Sequence, residues 1–179
     1  MNPAPNLVLV GPMGAGKTSI GKRVAARLGL VFVDCDQQLE AATGASVPVI
    51  FECEGEAGFR TRESALLANL LQGEGQLLAT GGGAVLAAAN RRLMRERAFV
   101  VHLPASVDEQ LERLCRDRTR PLLAVPDRRA RLEALAEARG PLYREVADLE
   151  FTPGSLGVGC AAEQLAARVA ALWRRPEAA

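Results

Sequence analysis

The sequence predicts an α/β fold in which a parallel β-sheet is covered by helices on both faces. Short apolar runs rich in valine and leucine alternate with longer segments whose apolar residues recur at helical spacing. This alternation is typical of a parallel sheet, because consecutive parallel strands are joined by a crossover that usually contains a helix. The 179 residues suffice for one core and contain no repeat or dividing linker, so we predict a single domain over residues 1–179.

Five strands and six helices are expected from these patterns. The strands cover Leu7–Val10, Val31–Asp34, Gln76–Ala79, Phe99–Leu103 and, on a weaker pattern, Leu149–Phe151. The helices cover Lys17–Leu28, Arg60–Gln72, Leu86–Arg97, Val107–Arg116, Arg128–Val146 and Ala161–Arg174. Sheets of this kind bind ligands at the carboxyl ends of their strands, so functional residues are expected there.

The composition argues against nucleic acid and membranes as partners. The formal net charge is +1, so no overall basic field favours either of them. No apolar run approaches the ~18 residues that a membrane span needs. The four cysteines lack metal-site spacing and the first residues lack the features of a secretory leader. These features predict a cytoplasmic protein whose cysteines are reduced core residues.

The first functional motif is a phosphate-binding loop that follows the first predicted strand. Gly11, Gly16, Lys17 and Thr18 fit the pattern G-x-x-x-x-G-K-[ST], and a predicted helix comes directly afterwards. In such a loop the backbone N–H groups surround a β-phosphate, the lysine reaches the β- and γ-phosphates, and the threonine hydroxyl binds Mg²⁺. A merely tight glycine-rich turn is the alternative. The residues expected to bind the nucleotide are Gly14, Ala15, Gly16, Lys17, Thr18 and Ser19.

Two more motifs stand at the ends of predicted strands. Asp34 and Asp36 are two residues apart, so both are expected on one face of the second strand, where they can hold metal, bind substrate hydroxyls or accept a proton. N-capping of the next helix by Asp36 is the alternative. Gly81, Gly82 and Gly83 follow the third strand and favour a close approach of the backbone to a small ligand, with a flexible turn as the alternative.

Three arginines that are separated in sequence, Arg60, Arg120 and Arg139, lie near predicted loops or helix ends. Singly, each is interpretable as a surface residue. Together with the paired aspartates and the glycines, they indicate a small acceptor that carries hydroxyls and a carboxylate, because arginine forks bind carboxylates in a bidentate manner. Glu56 and Glu63 flank Arg60 and are expected to orient its guanidinium.

The order of these motifs resembles that of the shikimate kinase family. The resemblance covers about residues 7–151 and rests on the phosphate-binding loop followed by VDCD, IFECEGEAGFRTRE, LLATGGGAV, RPLL and RGPLYREVAD. It implies a three-layer α/β/α P-loop fold with a five-stranded parallel sheet and a mobile lid. The implied substrate-binding helical segment covers about residues 35–63, and the implied lid covers about residues 116–129.

The resemblance also implies an activity. The expected reaction transfers the γ-phosphate of ATP to the 3-hydroxyl of shikimate, within aromatic amino acid biosynthesis. Mg²⁺ is the implied cofactor, ATP and shikimate are the implied partners, and a monomer is the implied state. Two alternatives stay open: a related small-molecule kinase such as a gluconate kinase, and a non-catalytic ATP-binding protein that resembles the family.

The resemblance assigns the acceptor to three sets of residues. Arg60 and Arg139 would grip the shikimate carboxylate, and Gly81 to Gly83 would contact the substrate beside them. Asp36 would accept hydrogen bonds from the substrate hydroxyls and is the candidate general base.

On the donor side, the resemblance assigns Thr18 as a magnesium ligand and Asp34 to the outer magnesium shell, through water. Arg120 would close over the phosphates as part of the lid and, with Lys17, would neutralise charge during transfer. Arg113 would stack on adenine.

Overall fold

A computed structural model of the chain describes residues 2–115, 117 and 120–174. Its strands are β1 (Asn2–Pro3), β2 (Asn6–Val10), β3 (Val31–Asp34), β4 (Gln76–Ala79), β5 (Ala98–His102), β6 (Leu149–Glu150) and β7 (Trp173–Arg174). Its helices are α1 (Lys17–Leu28), α2 (Cys35–Thr43), α3 (Val47–Leu70), α4 (Ala88–Arg97), α5 (Val107–Arg113), α6 (Arg128–Val146) and α7 (Val158–Leu172), with a 3₁₀ turn at Pro121–Leu123. Within the described ranges, no helix combines the length and the apolar character needed to cross a membrane.

Five of the strands form one sheet in the order β3-β4-β2-β5-β6, and all neighbouring strands are parallel. The central strand is β2, where Leu7 lies beside Leu77 of β4 and Phe99 of β5. All residues of β2 are buried, as a strand covered on both faces requires. The predicted five-stranded parallel sheet is confirmed, and the predicted strand bounds differ from the observed ones by at most one residue at each end.

Apolar side chains fill both faces of this sheet. Leu7 and Leu9 of β2 pack with apolar residues of α1 and α7. Val8 and Val10 point to the opposite face, where they pack with apolar residues of α3, α4 and α6. The predicted three-layer α/β/α fold is therefore confirmed.

Two helices have the bounds that the sequence predicts, α1 and α6. Gly16 and Gly29 flank α1, and both adopt the left-handed conformation that glycine takes up readily. α6 begins after Asp127, whose carboxylate accepts a hydrogen bond from the Ala130 N–H.

The segment between β3 and Arg60 is more helical than the residue patterns predict. α2 and the first part of α3 lie where periodicity placed no helix. α2 follows β3 without a loop because the carboxylate of Asp34 caps its N-terminus. Pro48 lies in the first turn of α3, where its missing N–H costs no helical hydrogen bond.

The ends of two predicted helices differ from the observed ends by two or three residues. The helix predicted over Val107–Arg116 ends at Arg113, and the helix predicted to reach Arg174 ends at Leu172, because the next two residues pair with β1. The predicted lid, residues 116–129, is described only at 117 and 120–129. Arg116, Arg118 and Thr119 lie outside the described residues.

The prediction that the cysteines are core residues is wrong for three of the four. All four carry free thiols, but only Cys35 is buried. Cys53 on α3, Cys115 after α5 and Cys160 on α7 are exposed to solvent. Sequence composition does not show which side of a helix a cysteine occupies.

We expect Gly55 to be required for the shape of α3. Its dihedral angles, φ 69° and ψ −178°, break the helix and lie in a region that other residues essentially do not populate. Gly55→Ala is expected to lower the free energy of unfolding by about 1–3 kcal/mol, measured by urea denaturation. The control is Gly159→Ala in α7, where φ is ordinary and no contact is closer than 3.9 Å. It is expected to be neutral or slightly stabilising. Equal effects of the two substitutions would contradict the prediction.

Candidate active site

The phosphate-binding loop joins β2 to α1 at the carboxyl edge of the sheet. Gly11, Gly14 and Gly16 have φ values of 145°, 74° and 89°, which other residues rarely adopt. A β-carbon on Gly11 would lie 2.2 Å from the carbonyl oxygen of Leu103, so only glycine fits there. The loop therefore ends at the N-terminus of α1, where unpaired N–H groups and the helix dipole favour an anion.

Lys17 is the first residue of α1, and its side chain turns back into the loop. Its Nζ donates to the carbonyl oxygens of Gly11 and Pro12, at 2.7 and 2.8 Å. Desolvation lowers the pKa of Lys17 to about 8, against the attraction of Asp36, and Arg120 lowers it further. Desolvation and the nearby Arg120 disfavour the charged form of Lys17, and a phosphate bound beside it would stabilise that form.

Asp34 links three elements of the site. Its Oδ2 accepts a hydrogen bond from the Thr18 hydroxyl at 2.7 Å, and its Oδ1 accepts from the N–H groups of Asp36 and Gln37 at 3.1 and 3.3 Å. The alternative in which Asp36 caps the next helix is wrong, because Asp34 is the cap. The strand-alternation argument is also wrong, since β3 ends at Asp34 and Asp36 lies in the first turn of α2.

The two aspartates nevertheless face one cavity of about 480 Å³. It is also lined by Lys17, Thr18 and Arg120. Burial raises the pKa of Asp36, against the attraction of Arg120 and then of Lys17. Asp36 is therefore a better proton acceptor than an ordinary aspartate.

A second, smaller pocket adjoins this cavity and shares six lining residues with it, among them Asp36, Arg120, Gly81 and Gly82. The predicted acceptor residues Arg60, Gly81, Gly82, Gly83 and Arg139 all line it. The structure thus brings the predicted donor and acceptor residues to two sides of the same aspartate.

Two of the three consecutive glycines leave room for charged side chains. A β-carbon on Gly81 would lie 2.5 Å from Oε1 of Glu63, and one on Gly83 would lie 2.3 Å from Cζ of Arg60. At Gly82 the closest contact would be an ordinary 3.5 Å. The glycines therefore form a floor against which the acceptor-side charges pack.

Arg60 is held by both of its neighbouring glutamates, as the sequence predicts. Its Nη1 lies 2.6 Å from Oε2 of Glu63, and its Nη2 lies 3.2 Å from Oε1 of Glu56. Glu63 is only 5% exposed, and its Oε1 is buried without a hydrogen-bond partner. Burial raises the pKa of Glu63, against the attraction of Arg60. A hydroxyl donor in this pocket would satisfy the remaining oxygen.

Arg139 and Arg120 reach the site from different elements. Arg139 of α6 is 4% exposed, and its burial lowers the pKa of the guanidinium, against interactions with Tyr143. Arg120 lies before the 3₁₀ turn, with Nη1 3.6 Å from Oδ2 of Asp36 and Nε 3.2 Å from Oδ2 of Asp117. Arg120 thus lies beside the candidate base, Asp36.

The remaining predicted nucleotide residues occupy different positions. Ser19 lines the large cavity, whereas Ala15 is buried and its N–H donates to the Pro12 carbonyl at 3.3 Å. Arg113 donates to the carbonyl oxygen of Gly14 at 2.9 Å and pairs with Glu109 at 3.0 Å. Arg113 therefore touches the loop, and its stacking on adenine stays a prediction.

Sequence reasoning missed the aromatic wall of the acceptor pocket. Phe51 and Phe59 line this pocket, with ring centroids 4.6 Å apart, and the Arg60 guanidinium lies 5.0 Å from the Phe59 ring centroid. One signal was available, because two of the five phenylalanines in the chain fall within this nine-residue stretch.

A phosphate-binding loop beside a pocket lined with carboxylates, arginines and bare backbone defines a P-loop kinase for a small acceptor. The family model described as shikimate kinase matches residues 13–172. The chain belongs to the shikimate kinase family, which confirms the family that the sequence resembles.

Individual relatives agree with this assignment. A shikimate kinase of Stenotrophomonas maltophilia (strain K279a) is 54% identical over 177 residues, which are 99% of this chain and 98% of the relative. The solved structure of a shikimate kinase from Acinetobacter baumannii in complex with shikimate has a TM-score of 0.91 and 44% identity, with 95% of each chain covered. A gluconokinase from Sinorhizobium meliloti has a TM-score of 0.59 at 18% identity, covering 94% of this chain and 95% of its own, a likeness of fold alone.

The Lys17 ammonium is expected to titrate far below an ordinary lysine. Desolvation lowers its pKa to about 8, so the side chain is charged below this pH and loses its proton as the pH rises through it. The measurement is a ¹³C NMR titration of the lysine side chains, which is well resolved because the chain has only two lysines, Lys17 and Lys22. The Lys17→Arg variant assigns the signal. A midpoint at the ordinary value of 10.5 would contradict the prediction.

Proposed function

We propose that the two adjoining pockets divide the reaction of this family between them. The chain transfers the γ-phosphoryl group of ATP to the 3-hydroxyl of shikimate, which gives shikimate 3-phosphate and ADP. The larger cavity binds the donor, and the smaller pocket binds the acceptor. The observation that carries this proposal is that both pockets share Asp36 and Arg120, so the two substrates meet at these side chains.

The phosphate-binding loop holds the donor. Gly14, Gly16 and Ser19 line the donor cavity, and the backbone N–H groups of Gly14 and Gly16 bind the phosphates. The N–H of Ala15 joins them by exchanging the Pro12 carbonyl for a phosphate oxygen. Lys17 exchanges its contacts with the carbonyl oxygens of Gly11 and Pro12 for the β- and γ-phosphates. The negative phosphates then stabilise the positive charge of Lys17, which desolvation disfavours. We assign Arg113 to the adenine end of the donor site.

The donor set beside the loop fits Mg²⁺. The Thr18 hydroxyl and the Asp34 carboxylate lie 2.7 Å apart, and both are oxygen ligands. The described residues contain no cluster of three or more His, Cys, Asp or Glu that could form a protein cage. Magnesium in kinases needs none, because it is held by one or two protein ligands together with phosphates and water. When bound, it neutralises charge on the phosphate oxygens. Thr18 would be its direct ligand, and Asp34 would bind it through water.

The acceptor is held by opposite charges and a glycine floor. Arg60 and Arg139 bind the carboxylate of shikimate, and Gly81 to Gly83 let the ring approach the backbone. The buried, unpartnered oxygen of Glu63 accepts a hydrogen bond from a substrate hydroxyl. The carboxylate clamp thereby fixes which hydroxyl faces the donor.

Asp36 and Arg120 act on the reacting atoms. Asp36 accepts hydrogen bonds from the substrate and takes the proton of the 3-hydroxyl, for which its raised pKa is suited. Arg120 binds the transferring phosphoryl group and stabilises the charge of its loose transition state. We infer that residues 116–129 form a lid that brings Arg120 to the phosphates, and that residues 35–63 form the substrate-binding segment of a single domain.

The same proposal covers the state and compartment of the protein. Every side chain assigned above comes from one chain, so the site is complete in a monomer. The four free thiols, three of them exposed, fit a reducing cytoplasm.

The decisive test is turnover of ATP with shikimate and with gluconate, measured by coupled ADP release. Rapid turnover with shikimate and little with gluconate is expected. Asp36→Asn is expected to lower kcat by ~10²- to 10⁴-fold because it removes the general base, with the KM for ATP within about threefold of wild type. Turnover with shikimate no faster than with gluconate would contradict the proposed acceptor. Full activity of the variant would contradict the role of Asp36.

A pair of glycine substitutions tests the carboxylate clamp. Gly83→Ala places a β-carbon 2.3 Å from Cζ of Arg60, so the guanidinium must leave its position between the two glutamates. The KM for shikimate is expected to rise by roughly 10- to 100-fold, with little change in the KM for ATP. Gly159→Ala in α7 is the control variant, because Gly159 lines neither pocket and its new contacts start at 3.9 Å, and a change of at most a few-fold is expected. Similar KM values for the two variants would disprove this account of the floor.

A further inference from the structure

The two arginines of the carboxylate clamp differ in how their charge is compensated. Arg60 lies within 2.6 Å of Glu63 and 3.2 Å of Glu56, so two carboxylates share its charge. Arg139 makes no ion pair with any carboxylate of the described ranges. Within the clamp, Arg139 is therefore the arginine that no described carboxylate contacts, and Glu56 and Glu63 attract it only at longer range.

The polar partner of Arg139 is a neutral one, the hydroxyl of Tyr143. This hydroxyl donates its proton to the carbonyl oxygen of Gly82. The Arg139 guanidinium lies near this phenolic oxygen, because Nη1 of Arg139 and the Tyr143 hydroxyl each lie 3.5 Å from the position that a β-carbon on Gly82 would take. The two side chains also interact electrostatically. A phenol used in this way fixes the direction of a guanidinium without cancelling its charge, whereas a carboxylate would do both.

Tyr143 is itself fixed from behind. Its ring stacks on the His102 ring, with centroids 5.2 Å apart and an interplanar angle of 21°. His102 is 4% exposed, and its Nδ1 lies 2.9 Å from Oε2 of Glu150. His102 and Glu150 are register partners on β5 and β6, so the stack rests on the sheet rather than on a loop. The ring of Tyr143 is therefore held by a stacking partner on the sheet.

We propose that Tyr143, held by His102 and Glu150, is a positioning residue that directs the guanidinium of Arg139, which no described carboxylate contacts, at the acceptor and so sets the preference for acceptors that carry a carboxylate. This inference rests on the proposed function, because it concerns the same acceptor pocket. Tyr143 acts through Arg139 and does not touch the reacting atoms.

The protonation state of Tyr143 supports this role. Burial raises its pKa to about 12, against the attraction of Arg139. The hydroxyl thus keeps its proton at neutral pH and remains the donor to Gly82. If it lost this proton, it would become a counter-ion that cancels the charge of Arg139.

The test compares binding of shikimate with binding of its methyl ester, which has the same ring and hydroxyls but no charge on the carboxyl group. Dissociation constants are measured by calorimetry for wild type and Tyr143→Phe. The dissociation constant of the ester divided by that of shikimate is expected to fall by roughly 10-fold in the variant, because the substitution weakens binding of the charged ligand. In steady-state assays, the KM for shikimate rises while the KM for ATP and kcat stay within about threefold.

The matched control is Trp173→Phe, which also removes a buried hydrogen bond from an aromatic side chain to a carbonyl oxygen, that of Ala4 at 2.9 Å. It lies outside the site, so it is expected to lower the thermal midpoint and leave the ligand ratio unchanged. Equal weakening of both ligands by Tyr143→Phe would overturn the inference, because a merely structural residue affects them alike. If Tyr143→Phe does not fold, His102→Gln is expected to shrink the ratio in the same direction by a smaller factor, and an unchanged ratio overturns the inference. Wild-type protein that binds neither ligand and turns over no shikimate would instead overturn the proposed function.

Discussion

The carboxylate of Asp34 uses its two oxygens to hold together β3, α1 and α2. One oxygen caps α2 and the other accepts the hydroxyl hydrogen bond of Thr18, at 2.7 Å. Because the cap sits on the last residue of β3, the chain enters α2 without a loop, and Asp36 falls in the first helical turn beside Lys17. The donor loop and the candidate base are therefore placed relative to each other by one side chain, and the rest of the site is built around this contact.

The acceptor pocket depends on missing side chains as much as on those present. Glu63 and Arg60 occupy the space that β-carbons on Gly81 and Gly83 would need. Their ion pair, at 2.6 Å, lies in a buried region, where an unpaired charge would be costly. One oxygen of Glu63 still has no partner, and such an oxygen costs about 1–3 kcal/mol until a donor reaches it. The pocket thus offers a buried hydrogen-bond acceptor at Glu63.

Local signals explain which parts of the structure were predictable from the sequence. The bounds of α1 follow from a phosphate-binding motif at one end and Gly29 at the other, and the β2 pattern follows from burial on both faces. The helices before Arg60 were missed by periodicity, because α2 begins at a cap without any loop and Gly55 interrupts α3. Residue types indicated the site. The contacts that join Tyr143 to Gly82, and through His102 to Glu150, connect residues far apart in the chain, so no spacing in the sequence shows them.

Electrostatics couple the two halves of the proposed site. Nη1 of Arg120 lies 3.6 Å from Oδ2 of Asp36, so Arg120 compensates part of the charge of the candidate base, and Arg120 also lowers the pKa of Lys17. In the proposed site, donor phosphates would attract Arg120 and Lys17 together, which would free Asp36 for a substrate hydroxyl. A hydroxyl bound to Asp36 would in turn displace Arg120 toward the phosphates. Because linkage is reciprocal, each substrate would then strengthen binding of the other by the same factor. Water has no carboxylate for Arg60 and Arg139 to bind. This coupling would therefore favour phosphoryl transfer to the acceptor over hydrolysis of ATP by water.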